Sequence, residues 1–299
     1  MVKDMKMFNF FMIILEQSMI YLPLVFGAYI SFSLLKIPDL SLETAYLIGA
    51  FTGSLALQIM QGFPVGIALG VVICASILGG MFVGLVSSCI TRFGNIPHLL
   101  SSIITFGLFQ GLFLLYSHPY VSLAKYENVF MIIPYFPKHP ELCILLMINF
   151  VICCLYAYLL QTQLGRSFAI FGQNPSFFKH FKISTNYIFI MGVLISNGLA
   201  GLAGFFFAQT NSLLEMNMGV GKALFCITAL ILGKAMYYQA KSSFVLPIVG
   251  VGFYFFIQQL LLKVGFNLKY FTAVQSLLVF IILLAMYKKN RAQHDQLGI

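Results

Sequence analysis

Nine apolar runs follow one another along this chain, near residues 8–35, 42–60, 65–90, 97–117, 142–162, 187–209, 222–239, 244–262 and 270–287. Each is long enough, at roughly 18 residues or more, to carry a helix across most or all of a bilayer's hydrocarbon core. In lipid a backbone N–H or C=O has no water to turn to, so a spanning segment must pair its own polar groups, as a helix does. The pattern confines the chain to a bundle of membrane helices. Only 8% of residues are charged and 60% are hydrophobic, whereas a soluble domain has about a quarter of its residues charged. We expect an all-α, polytopic membrane protein with about eight or nine spans, filling residues 1–299 as one transmembrane domain. The basic start leads into a long apolar run without a small-residue cleavage site, which reads as a retained first span rather than a removed signal peptide.

The net charge of +9 is no footprint of nucleic acid. Lys and Arg gather between the apolar runs and at the ends, as the positive-inside rule requires, and not on one folded basic face. The stretch "LGRSFAIFGQNPSFFKHFKIS", Leu164 to Ser184, carries Arg166, Lys179 and Lys182, and the tail carries Lys288, Lys289 and Arg291. Both are expected in the cytoplasm, and the four apolar runs between them, an even number, agree with that. The 118–141 loop balances Lys125 and Lys138 against Glu127 and Glu141, which suits the outside. The first third is less consistent. Lys3 and Lys6 ask for a cytoplasmic start and Arg92 for a cytoplasmic 91–97 turn, yet three runs separate them. Either the N-terminus is outside or one run does not fully cross. Pro38, Asp39 and Ser41, with the Gly62-Phe63-Pro64 break, favour a broken or re-entrant segment between about 36 and 64.

Gly66 and Gly70, Gly80 and Gly84, and Gly107 and Gly111 are spaced to place small residues on one helical face, and Gly198, Gly201 and Gly204 recur every third residue. Such spacing predicts close helix packing within the chain. Chemistry is sparse. There is no phosphate-binding glycine loop, no HExxH and no GxSxG. No pair among the six cysteines has metal-ligand spacing with a histidine. The five histidines read as ordinary solvated or interfacial residues. A lipid-modifying enzyme would need a catalytic cluster that the sequence does not offer, so no enzymatic activity and no metal is expected. Glu16 is the best candidate for an intramembrane carboxylate, and it fits equally well at the lipid–water boundary. Asp39, Ser41 and Asn197 complete the candidates for a translocation pathway.

The basic stretch remains. Asn174-Pro175 is a good helix start, since Asn can cap and Pro is tolerated at the first helical position. "PSFFKHFK" then predicts a short amphipathic helix, with Phe177, Phe178 and Phe181 facing one way and Lys179 and Lys182 elsewhere. Such a helix lies on anionic lipid or seats in a protein partner. The residues alone leave the two equal.

"GRSFAIFGQNPSFFKHFKISTNYIFIMGVLISNGLAGLAGFFFAQ", residues 165–209, resembles the cytoplasmic loop and following helix of permeases of the branched-chain amino acid and ribose type of ABC importer. Gly165, Arg166, Gly172, Asn174, Pro175, Ser196, Asn197, Gly201, Gly204 and Gln209 carry the match. The segments at 15–51, 96–114 and 265–281 are similar to the tryptophan/tyrosine-type ABC permease subgroup. The chain departs from that subgroup at Gln173, at Lys234 and across Leu42 to Tyr46. The resemblance implies a type II importer-like permease, a homodimer in the bacterial inner membrane. Its partners would be a cytoplasmic ABC ATPase, holding ATP and Mg, and an extracytoplasmic substrate-binding protein. The loop at about 163–186 would couple to the ATPase through Gly165, Arg166, Gly172, Asn174, Pro175, Phe177, Phe178 and Lys179. Its phenylalanines, Phe168, Phe171, Phe177, Phe178 and Phe181, would be the grip. An aromatic or other amino acid would be the cargo. An ion-coupled secondary transporter is the alternative.

Overall fold

The computed structural model describes residues 2–115, 120–123, 130, 140–180, 182–236, 244–267, 270–277 and 279–281. The 118–141 loop, Phe181, the side chain of Lys179 and the tail lysines lie largely or wholly outside them. Helix α1 (Val2–Ala28) runs directly into a π-helical turn, Tyr29–Leu34. Then come α2 (Ser41–Ile59), α3 (Val65–Gly94), α4 (His98–Leu114), α5 (Pro140–Gln161), α6 (Gln163–Gln173), the short α7 (Phe177–His180), α8 (Thr185–Asn211), α9 (Lys222–Met236) and α10 (Val245–Lys263). Two three-residue strands, β1 (Tyr120–Ser122) and β2 (Leu213–Glu215), pair antiparallel with Tyr120 opposite Glu215. Five helical stretches are long and apolar enough to cross a membrane: Asn9–Leu34, Val65–Gly94, Glu141–Gln161, Thr185–Asn211 and Val245–Lys263. His98–Phe113 and Phe271–Ile281 are apolar but shorter. The chain is a multi-pass helical membrane protein.

The described residues divide into two compact units, one within Leu15–Ala223 and one within Met1–Ile14 and Leu224–Ile299. The larger unit is organised around α8, whose most apolar window is 72% buried against 33% for α3. Between helices in lipid the hydrophobic effect gives little drive, so close backbone approach and dispersion must hold them. The glycines show where this happens. A methyl group on Gly204 would collide with the Tyr46 carbonyl, one on Gly201 with the Ser76 carbonyl, and one on Gly80 with the Asn197 carbonyl. Gly49 lies directly on Gly201, and Gly27 on Ser196, whose hydroxyl donates to the Gly27 carbonyl at 2.7 Å. So α1, α2 and α3 each press a small residue into α8. On α1, Phe26 stacks on Tyr156 of α5 at 4.2 Å, and Asn149 of α5 donates to the Met19 carbonyl at 3.0 Å.

The Gly80 and Gly84 pair packs against α8, as the spacing predicts. Gly66, Gly70, Gly107 and Gly111 have nothing within 4 Å of a built side chain. Their spacing matches the packed pair, but among the described residues no neighbour reaches these positions.

The break expected between about 36 and 64 is narrower than that. Residues 41–59 are one continuous helix, and Gly62 at φ +86° merely turns the chain from α2 into α3. The interruption is confined to 35–40, where Lys36 takes a left-handed φ of +55° and the Ile37 N–H donates back to the Ser31 carbonyl. Leu35 packs on Gly192 and Asp39 bonds Asn197, which places the break near the middle of the 27-residue α8. After α8 the chain also turns inward: Gly219 rests on the Glu43 carbonyl, which lies one turn beyond the break. The sequence had marked this stretch only as a loop.

Candidate functional site

The break at 35–40 brings a carboxylate into the bundle, and a carboxylate there needs partners. Asp39 is fully buried. Its Oδ1 accepts the Ser41 N–H at 2.9 Å and the Ser41 hydroxyl at 2.5 Å, while its Oδ2 accepts from Asn197 Nδ2 at 3.1 Å. The Ser41 hydroxyl also lies 3.1 Å from Asn197 Oδ1. The Ser41 contacts form a local turn that starts α2, so Asp39 serves as a helix-starting carboxylate as well as a tie to α8. His98, at the start of α4, sets its Nε2 3.3 Å from Asp39 Oδ1, a charge contact outside aligned hydrogen-bond geometry. Its Nδ1 lies 3.0 Å from the Thr91 hydroxyl, which contacts Ser101 and donates to the Ser87 carbonyl.

Asp39, Ser41 and Asn197 are thus brought together, all fully buried, so none of them faces an open passage in this conformation. Glu16 is half-buried on α1 and shares none of these hydrogen bonds. The sequence reading missed His98, Thr91 and Ser101. His98 sits 59 positions from Asp39, and only its place beside Pro97 at a helix start hinted at a fixed orientation.

The basic stretch lies against the same break; the short helix expected after Pro175 forms over Phe177–His180, and a longer helix precedes Asn174. The amphipathic helix is α6, upstream of Asn174, with Thr162 as cap: its hydroxyl accepts the Gly165 N–H at 3.4 Å. It buries Gly165, Phe168 and Phe171 and leaves Arg166 exposed. Asn174 ends α6; its Oδ1 accepts from the Ser176 N–H at 3.1 Å and closes a side-chain turn through Pro175. Beyond that turn, α7 has only four residues, too few for an amphipathic face. The Asn side chain competes for the local N–H groups and makes a turn instead of a helix. Phe177 is 42% exposed but Phe178 is buried, so the pair does not face one way. Phe168 and Phe171 are buried as well, which leaves Phe177 as the outward ring among the described residues of this loop.

A methyl group on Gly172 would strike the Leu34 carbonyl at the end of the π turn. Phe171 contacts the Phe189 ring at 6.4 Å, His98 meets that ring edge-on at 5.1 Å, and Arg92 lies over it at 4.2 Å. One chain of contacts therefore runs from α6 through Phe189 and His98 to Asp39 and Asn197. Gly172→Val is expected to lift α6 from the break at a cost of about 1–3 kcal/mol. Limited trypsin digestion in membranes should then cut at Arg166 several-fold faster, because a helix seated on its neighbour resists local opening.

Residues 10–286 match the family model described as "Branched-chain amino acid transport system / permease component". The chain belongs to this permease family. It is 29% identical over 289 residues to the uncharacterized protein RP368 of Rickettsia prowazekii, covering 94% of this chain and 99% of that one. It is 27% identical over 277 residues to the tyrosine transport system permease protein of Clostridioides difficile, covering 91% and 88%. The autoinducer 2 import system permease protein LsrC of Salmonella typhimurium is 25% identical over 213 residues, 69% of this chain and 59% of that one. No solved structure matches the chain. The permease is accordingly the membrane-spanning subunit of an ABC importer, a family whose members work with an ATPase and a substrate-binding protein. Among the described residues no group of three His, Cys, Asp or Glu is placed to hold a metal ion.

Proposed function

We propose that this permease is the homodimeric channel of an amino-acid importer in the bacterial inner membrane, with an aromatic amino acid as cargo. ATP and Mg are held by two cytoplasmic ATPases, and an external binding protein delivers the cargo. The observation that carries the reading is the seat of α6 on the intramembrane break, with Arg166 and Phe177 left outward for a partner. ATP-driven closure of the ATPases favours one permease conformation through differential contacts at Gly165, Arg166, Gly172, Asn174, Pro175, Phe177, Phe178 and Lys179. The push reaches Asp39, Ser41 and Asn197 by way of Phe189 and His98, and these residues hold or release the break that closes the pathway, with Glu16 further along α1. The cargo class is supported by the Clostridioides difficile relative's name. In this reading α2, α4, α9 and Phe271–Ile281 also cross, giving nine spans with the five longer helices.

The test is co-purification. Changing Arg166 to Ala and residues 175–182 to a Gly/Ser linker is expected to abolish capture of the cognate ATPase while the permease still reaches the membrane. Unchanged capture would overturn the coupling assignment. Uptake in reconstituted vesicles should need ATP and survive a proton uncoupler. The opposite result would make the protein an ion-coupled carrier.

A further inference from the structure

Lys222 opens helix α9, where the positive end of the helix dipole disfavours a cation. Its position is explained by what surrounds it. Nζ donates to the Tyr21 hydroxyl at 2.9 Å and lies 4.6 Å from the Tyr21 ring centre, 5.2 Å from Phe207 and 5.4 Å from Tyr46. These rings come from α1, α8 and α2. They also hold each other: Tyr21 and Tyr46 are nearly parallel at 6.3 Å, and Phe207 is tilted against them at 5.9 and 6.1 Å. The box therefore has walls of its own and does not depend on the lysine for its shape. Tyr46 is fully buried, whereas Phe207 and Lys222 are half-buried, so one side can be reached. Glu43 stands beside it and accepts the Ala223 N–H at 3.1 Å, which offsets the cation at the helix start.

Three aromatic faces around a single ammonium form the arrangement that recognises alkylammonium ligands. We propose that the Tyr21–Tyr46–Phe207 box is a binding site for the ammonium group of a small organic cargo, filled at rest by Lys222. The lysine arrives on the segment that folds inward after α8, hinged at Ser212 (φ +50°) and Gly221 (φ +82°). Withdrawal of that segment empties the box, and the α-ammonium of an amino acid or the head of an amine takes the place of Nζ. The cargo side of this statement rests on the permease reading above. The binding side does not.

The experiment uses the full-length chain in detergent without its ATPase, so failure here leaves the uptake test untouched. The probe is n-butylammonium, the lysine side chain cut free, with 1-butanol as its uncharged counterpart. In Lys222→Ala, n-butylammonium should raise the melting temperature at roughly tenfold lower concentration than 1-butanol, as expected of a desolvated cation–π contact. Lys222→Ala/Tyr46→Leu, its box broken, should show no such preference, and wild type, where the amine must first displace Lys222, a several-fold weaker one. Equal potency of amine and alcohol in Lys222→Ala, or the same amine preference in wild type, would overturn the proposal. Should Lys222→Ala fail to fold, the wild-type protein decides. Tetramethylammonium should raise amine labelling of Lys222 several-fold relative to Lys263, read by mass spectrometry, and unchanged labelling would overturn the proposal.

Discussion

Replacing Asp39 with leucine is expected to abolish transport and destabilise the permease by about 3–5 kcal/mol, the cost of removing one member of a buried charged network. The carboxylate accepts from the Ser41 N–H and hydroxyl and from Asn197 Nδ2, with His98 Nε2 3.3 Å away. Leucine would strand these three donors in a fully buried site, and each stranded donor keeps its desolvation penalty. Asp39→Asn is the informative companion. The amide retains an acceptor for Ser41, and Asn197 can turn its own oxygen toward the new NH2 group. The loss should then fall to roughly half that of leucine. Thermal unfolding in detergent and ATP-driven uptake in vesicles are the two measurements. A stable, active Asp39→Leu protein would remove the cluster from any role in holding the break.

The second large effect concerns backbone contact. Gly204→Leu should leave no folded protein in the membrane, because its first side-chain atom would fall on the Tyr46 carbonyl. Overpacking usually costs about 1–3 kcal/mol when neighbouring side chains can shift. Here the neighbour is main chain of α2, and moving it would also disturb the Gly49–Gly201 contact. Gly66→Ala and Gly107→Ala are the controls, since among the described residues nothing lies within 4 Å of a side chain built at either position. They are expected to change stability by no more than about 0.5 kcal/mol. Yield of monodisperse protein after extraction reports all three. Equal losses across the series would show that glycine acts here through flexibility and not through close approach.

Helix positions were legible in the sequence because lipid leaves a spanning segment no other way to pair its backbone. The glycine spacing was only half informative. Gly80/Gly84 and Gly66/Gly70 share a spacing and lie on nearly one face of α3 about four turns apart, so which pair meets a neighbour depends on how far along α3 its partner helix reaches, a property of the assembled bundle. Asp39, Ser41 and Asn197 could be chosen singly as polar residues in apolar surroundings. Their junction could not, because 156 positions separate Ser41 from Asn197. His98 was passed over since a lone histidine carries no signal of burial. The shortened helix has a local cause: Asn174-Pro175 suits a helix start and a side-chain turn alike, and the Ser176 N–H closes the turn on Asn174 Oδ1 before α7 begins.

The glycine contacts along α8 have a mechanical consequence. Main chain resting on main chain over several turns makes a seam that resists separation and bending. Helices α2, α3 and α8 should therefore travel as one keel during the transport cycle. The give in the structure is left to the π turn, to the six residues after it and to the segment that follows α8.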